Sequence, residues 1–443
     1  MDDSLQPSVL VINYYWPPAG GPAVQRWVDI LKNWSASGVS CFVLTVDAAK
    51  ATYQVIDTSL EEQVPENIRV IRTDTWSIFS VYKQYVGSIP ANAFVDERHP
   101  SLKQKIARFI RGNFFIPDPR RGWNKYAYKK AVEIISRHAI QAVITAGPPH
   151  STHLIGLKLK KKQNIKWIAD FHDYWSTIFY LKDFYRLPPA RWIDTCYEKK
   201  VLKQADLVLA HCQYARNLYI ERLNSKDQQK ILVHAMGYDE TLFQPVQLPL
   251  KQSAFIITYS GMMPENYEPD VFFKVLGKMV RDFPDVPVKI RFIGLFSPRI
   301  KMLIEQHNLE NHWEETGYIV HSRIPGYLNE SSVLLLINPN VKDEKMIVPG
   351  KIYEYLAVRK PVISISGKDS ENESLLRLCD AGKNFQRDDE DGLYNYLAGL
   401  IVQWKSSRNV DLTHDNKNYL KFSRRYEAIH LWKKVSNLME EQV

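Results

Sequence analysis

Short apolar runs recur along the chain, and most are followed by a turn and then by residues at helical spacing. Val9–Tyr15, Cys41–Thr45, Ala142–Ala146, Trp167–Phe171 and Asp206–His211 are such runs in the first half. Ile256–Gly261, Val288–Ile293, Ser332–Ile337 and Val362–Ile365 are their counterparts in the second. Continuous rather than alternating hydrophobicity is what strands buried on both faces of a parallel sheet require. Between the first two runs Val24, Trp27, Val28 and Leu31 recur at helical spacing, and Gly38 closes that helix. The fold class expected is therefore α/β, built from doubly wound, Rossmann-like domains.

A chain of 443 residues exceeds one ordinary hydrophobic core, so two domains are expected. Phe243–Pro245 and Leu248–Leu250 read as the linker between a domain over 1–245 and a second over 250–415. A helical segment over 416–443 closes the chain. From about 75 to 125 the strand and helix alternation lapses into an aromatic and basic insertion, with Trp76, Phe79, Tyr82, Tyr85, Phe94, Phe109, Phe114 and Trp123. Lys103–Ile110 within it predicts a basic amphipathic helix. Two readings stay open: a lid that packs its aromatics onto the domain, or an interfacial patch for an anionic membrane surface.

Composition narrows the class. Hydrophobic residues make up 45% and charged ones 24%, which describes a globular protein. The four cysteines, Cys41, Cys196, Cys212 and Cys379, have neither zinc-site spacing nor the density of a disulfide scaffold. No signal peptide and no membrane-spanning run is evident, so a cytoplasmic protein is expected, with a peripheral place at the inner face of the membrane as an option. Net charge is +9 and the excess is local: between Ser101 and Lys130, nine Lys and Arg face the single acid Asp118. Such a field attracts phosphates of lipids, nucleotides or nucleic acid.

The candidate chemistry lies at predicted strand ends, where ligands bind in open parallel sheets. His150, His153, His172 and Asp173 follow two strands of the first domain. In the second, Val348-Pro349-Gly350-Lys351 leads into a short helix carrying Glu354, which Pro361 ends. Helix-start amides, partial positive charge and the Lys351 ammonium would suit a phosphate, and Glu354 would suit sugar hydroxyls; an ordinary turn with solvated Lys and Glu is the alternative. Asp388–Asp391 precedes a helix, and first-turn acids favour the helix dipole more readily than a metal, so no metal site is expected.

The run Pro349-Gly350-Lys351-Ile352-Tyr353-Glu354-Tyr355-Leu356-Ala357, followed by Lys360-Pro361-Val362-Ile363, resembles the donor-site signature of glycosyltransferase family 4, retaining enzymes of GT-B architecture. Tyr14-Tyr15, Pro17-Pro18, Gly20-Gly21 and Gln25-Arg26 resemble that family's opening loop, and Asp170-Phe171-His172-Asp173-Tyr174-Trp175 resembles its segment after a later strand. The resemblance implies two Rossmann-like domains facing across a cleft, with the C-terminal helix crossing back to the first. It implies donor binding by Gly20, Gly21, Arg26, Gly261, Tyr318, Pro349, Gly350, Lys351 and Glu354, the last on the ribose. His172, Asp173 and Lys351 become the catalytic candidates, and His150 and His153 the acceptor-side ones. Where many members carry a further glutamate for the donor sugar this sequence has Met346, with Glu344 two residues before it. Met262-Met263-Pro264 stands where an Arg and a Lys often hold the diphosphate.

The expectation is a transferase that moves a sugar from a nucleotide-sugar donor to an acceptor hydroxyl, with retention and without metal or other cofactor. A sugar or lipid-linked acceptor in surface polysaccharide or glycolipid synthesis would fit, and nucleic acid would not be a partner. The rival readings are a nucleotide-sugar epimerase of the same architecture and a basic module that binds membranes or nucleic acid.

Overall fold

A computed structural model describes residues 6–53, 55–76, 101–223, 225–244, 252–410, 412 and 416–440. Phe79, Tyr82, Tyr85 and Phe94 of the predicted insertion, and the linker residues Pro245 and Leu248–Leu250, lie outside them. The chain forms two compact units, Met1–Met236 with Arg424–Val443, and Gly237–Ser423.

In the first unit seven parallel strands are described: β1 (Ser8–Asn13), β2 (Ser40–Val46), β3 (Arg69–Thr73), β4 (Ala142–Gly147), β5 (Lys166–Phe171), β6 (Leu207–Ala210) and β7 (Ile231–Val233). Their spatial order is β3-β2-β1-β4-β5-β6-β7, with Val11 level with Val43 on one side and Ile144 on the other. Successive side chains of a strand point to opposite faces, and here both faces are covered. Val9, Val11 and Val43 pack with Trp27, Leu31 and Trp34 of the Pro22–Ala36 helix. Leu10, Ile12, Phe42 and Leu44 pack with Ala127, Ile134, Ile155 and Leu159 on the other side. That two-sided burial is why β1 reads as an unbroken apolar run.

The closing helix, Arg424–Glu440, belongs to the first unit. Ala428, Leu431 and Val435 join the same core as Trp34, and the Trp34 indole N–H donates to the Ala428 carbonyl at 2.8 Å. Arg424 and Asp29 add an ion pair at 2.8 Å.

The second unit holds six parallel strands among the described residues: β8 (Phe255–Ser260), β9 (Val288–Ile293), β10 (Trp313–Gly317), β11 (Val333–Ile337), β12 (Val362–Ile365) and β13 (Gly382–Phe385), in the order β10-β9-β8-β11-β12-β13. Each sheet thus reverses its order once, at β1/β4 and at β8/β11. Loops that leave adjacent strands there diverge to opposite faces and open a crevice. Gly20 and Gly21 follow β1, the Gly147–His153 turn follows β4, Gly261 follows β8, and the Lys351 loop follows β11. Asp389 caps the Glu390–Ser407 helix by accepting from the Gly392 amide at 3.0 Å, which accounts for the acidic run before it.

Replacing Trp34 by Ala removes both its packing and its hydrogen bond to the closing helix. Urea denaturation is expected to show a loss of about 3–5 kcal/mol, with protease cleavage appearing first near the C-terminus. A loss below about 1 kcal/mol would mean that the helix is held elsewhere.

Candidate functional site

In the first unit the strand ends surround a buried cation. Arg26 is 2% exposed and Asp170 1%. The guanidinium Nη1 donates to Asp170 Oδ2 at 3.1 Å and lies 2.6 Å from His172 Nδ1. Its Nη2 contacts His234 Nδ1 and donates to the His234 carbonyl at 3.2 Å. The Trp27 indole N–H donates to Asp170 Oδ2 at 2.8 Å.

His172 is held at both ring nitrogens. Nδ1 faces the guanidinium, which can only donate, and Nε2 lies 3.2 Å from the Trp27 indole nitrogen and 3.3 Å from Asp170 Oδ2. Burial pulls the His172 pKa down to about 4, with Asp170 opposing the fall and Arg26 adding to it. At neutral pH the ring is uncharged and both nitrogens are engaged. His172 is therefore placed to hold the loop rather than to exchange a proton. Arg26, expected to face donor phosphates, is instead turned inward onto this network.

Asp173 is solvent-exposed at the tip of the loop. The residues after it are braced from behind: the Trp175 indole donates to Asp194 Oδ1 at 2.7 Å, Arg186 pairs with Asp194 at 2.6 Å, and Ser176 donates to Glu198, which also pairs with Arg222. His150 and His153 lie in the layer beneath. His150 stacks on Trp175 at 5.0 Å and its Nε2 meets the Tyr174 carbonyl at 3.1 Å. His153 stacks on Phe171 at 4.5 Å and its Nδ1 lies 3.0 Å from Thr145 Oγ1. Burial lowers both, His150 to about 3, so both are neutral packing groups at physiological pH.

Gly21 adopts φ of +116°, which favours glycine, and no atom lies within 4 Å of where its Cβ would be. Gly20 is more confined: a Cβ there would sit 3.0 Å from Val55 and Asp57 side chains.

The second unit presents a different kind of cation. Lys351 opens the Lys351–Ala357 helix, and its Nζ sits 3.9 Å from the Tyr259 ring centroid. Gly261, at φ of +106°, leaves room for it: a Cβ there would lie 3.0 Å from Nζ. Gly294 lets the next turn approach, since its Cβ would lie 2.6 Å from the Gly261 carbonyl. The Tyr355 phenol accepts from the Ser260 amide at 3.0 Å and ties the helix to the end of β8.

Among the described residues no carboxylate lies within ion-pair distance of Lys351; Glu354, one turn on, is engaged with His321 Nε2 at 2.9 Å. Although Lys351 keeps partial solvent exposure, the surrounding protein pulls its pKa down to about 7, with Glu354 opposing the fall. A half-buried ammonium on an aromatic face, beside glycine turns and a helix start, is arranged to take an anion.

Met346 is buried, and Glu344 does not replace the missing carboxylate, because Arg387 Nη1 binds it at 2.6 Å while Nη2 donates to the Asn338 carbonyl at 2.7 Å. Tyr318 is 82% exposed, just after Gly317 at φ of +67°. Pro349 and Gly350 supply carbonyls that accept from the Ile352 and Tyr353 amides. No cluster of three or more metal-ligating side chains occurs among the described residues.

His234, Glu427 and His321 were not singled out from the sequence. Glu427 lies 3.7 Å from His234 Nε2, and burial raises its pKa to about 8. All three are isolated in the chain and acquire partners only through folding.

Residues 90–241 match the model of Glycosyltransferase Family 4. The match covers about a third of the chain. It is 25% identical over 169 residues to the glycosyltransferase WcaL of Escherichia coli (strain K12), a relative named for colanic acid biosynthesis; the match spans 38% of this chain and 41% of the relative. A glycosyltransferase from Rickettsia africae ESF-5 superposes with TM-score 0.64 at 15% identity, over 98% of this chain and 99% of that one. Sucrose-phosphate synthase from Thermosynechococcus elongatus gives 0.60 at 16%, over 98% and 100%. Anabaena Alr3699/HepE in complex with UDP and glucose gives 0.59 at 12%, over 97% and 99%. These likenesses show the α/β fold with two Rossmann-like domains of GT-B type.

Arg26→Met is expected to leave Asp170 buried without its cation and to cost about 3–5 kcal/mol in urea denaturation. Arg26→Lys should recover only part of the loss, because an ammonium cannot reach Asp170, His172 and His234 together. Full recovery by Lys would show that charge alone matters.

Proposed function

We propose that this chain is a glycosyltransferase of family 4 that moves a sugar from a nucleotide-sugar donor to an acceptor hydroxyl with retention of anomeric configuration. The observation that carries the reading is Lys351: a cation with no acid at ion-pair distance among the described residues, held against Tyr259 and Gly261 where the second sheet reverses its order. A donor pyrophosphate supplies the anion this arrangement lacks. The Anabaena neighbour, which is in complex with UDP and glucose, supports a nucleotide ligand for the fold. The relative named for colanic acid biosynthesis supports a role in surface polysaccharide or glycolipid synthesis.

As the glycosidic bond breaks, negative charge grows on the leaving diphosphate. Lys351 stabilises that charge more in the transition state than in the ground state, which is what accelerates a reaction. Glu354 exchanges or shares its His321 partner with ribose hydroxyls. Gly261, Pro349 and Gly350 let backbone approach the phosphates, and Tyr318 lies on the donor side. In the first unit Gly20 and Gly21 admit ligand to the backbone, and Asp173 is the exposed polar group on the acceptor side, held in place by His172, Arg26 and the layer of His150 and His153. The first unit also meets an anionic membrane surface, where a lipid-linked acceptor resides.

Lys351→Ala is expected to lower kcat about 10²–10³-fold, and Glu354→Ala to weaken donor binding about tenfold or more. Steady-state kinetics and calorimetry check these, after a thermal-shift panel of nucleotide sugars has identified the donor. Normal kinetics in both variants would remove this site.

The pH dependence follows from the sign of the Lys351 shift. Its pKa of about 7 lies below the unfolded value, so the free protein carries a penalty below pH 7 that is relieved as pH rises towards that unfolded value. A bound diphosphate raises the folded pKa, so binding takes up a proton above pH 7. Affinity for a nucleotide sugar is expected to be flat below pH 7 and to fall by up to about tenfold per unit above it. Lys351→Ala should abolish the slope.

A further inference from the structure

The helix Leu102–Phe114 is basic and amphipathic, but its apolar stripe does not face the core. Leu102, Ile106, Ile110 and Phe114 recur every fourth residue, on an arc of roughly 120°, and all are exposed, the outer two by 74% and 73%. The opposite side makes the attachment to the unit. Gly112 packs so closely that a Cβ would lie 2.5 Å from the Phe184 carbonyl. The Arg111 guanidinium lies over the Phe184 ring at 4.5 Å, and Arg186 donates to the Gly112 carbonyl at 3.1 Å.

Beyond the helix the exposed apolar surface continues onto the segment bonded to its end. Asn113 donates to the Tyr185 carbonyl at 3.2 Å and accepts from the Leu187 amide at 2.7 Å. Tyr185, Leu187 and, at 69%, Trp192 are exposed there. The exposed charges around these groups are mainly positive: Lys103, Lys105, Lys182 and Arg191, against Asp183. Exposed aliphatic and aromatic side chains ringed by lysine and arginine fit the boundary of an anionic bilayer, where rings sit at headgroup depth and each cation near the surface adds attraction. A water-facing helix has no use for four large apolar groups in one stripe.

We propose that the Leu102–Phe114 stripe, with the Tyr185–Trp192 segment bonded to its end, is a docking face that inserts shallowly into an anionic lipid surface. The inference deepens the membrane reading above and rests on it, but is independent of the donor chemistry. No helix among the described residues is long and apolar enough to cross a membrane, so the attachment is peripheral and reversible, and screened by salt.

The test is flotation of the full chain with vesicles of phosphatidylcholine alone or with phosphatidylserine added. The chain is expected to float with the anionic vesicles and to be released by high salt. Ile106→Ser with Phe114→Ser, and separately Trp192→Ser, should reduce binding about tenfold or more, and Lys103→Glu with Lys105→Glu a further way to the same loss. These positions are exposed, so folding is retained, as thermal denaturation will report. Equal binding to neutral vesicles, or binding unchanged by the variants, overturns the proposal. So does a dimer in light scattering that the same variants dissolve, which would assign the face to a second copy. Nucleotide-sugar thermal shifts on the same samples separate the two ideas: a chain that binds donor but not vesicles removes the docking face alone, and one that binds vesicles but no donor removes the transferase reading alone.

Discussion

A guanidinium taken out of water must have its hydration replaced by protein groups, and in the first unit that requirement organises everything at the strand ends. Arg26 sits where the helix after β1, the ends of β5 and β7 and the closing helix meet. Asp170 supplies the counter-charge, and His172 and His234 supply neutral acceptors. Since both imidazoles must stay uncharged to accept, the same burial that demands the network also depresses their pKa values. The glycine loop, the His172–Asp173 loop and the terminal helix are thereby fixed relative to one another within the unit.

Lys351 in the second unit is the informative contrast. Both terminal nitrogens of Arg26 are engaged by Asp170, His172 and His234, so it is structural by its contacts, whatever its sequence neighbourhood suggests. Lys351 has an aromatic face, glycine turns and a helix start, and the nearby acid Glu354 is engaged by His321. The first cation has its charge countered within the fold; the second has no carboxylate at ion-pair distance among the described residues, and desolvation pulls its pKa down to about 7. The two cations differ in their partners, and that difference is what separates a cation that holds the fold from one open to an anion. Glu344, in turn, has its charge countered within the fold by Arg387.

The basic insertion contains both packed and exposed aromatic or apolar groups. Trp123 is buried, donates to Thr73 Oγ1 at 2.8 Å and packs edge-on against Tyr14, so part of the aromatic stretch does pack onto the domain. Leu102, Ile106, Ile110 and Phe114 face outward. The close approach at Gly112 decides which side of that helix is glued down and leaves the other side exposed.

The order of strands and helices, the two-domain division and the Lys351–Ala357 helix were legible from the chain alone, because burial on both faces of a parallel sheet writes unbroken apolar runs and turns are punctuated by Gly and Pro. The motifs that resemble glycosyltransferase family 4 likewise sit in contiguous stretches. What folding alone decided was the role of each polar residue. Arg26 reads as a phosphate ligand until Asp170, 144 positions away, is found beside it. His150 and His153 read as site histidines until Trp175 and Phe171 cover them, and nothing near Glu427 or His321 in the chain marks their partners. Local pattern fixes which faces are apolar, since that needs only neighbours in sequence; pairing of buried charges depends on groups that meet across the fold, and so is settled only in three dimensions.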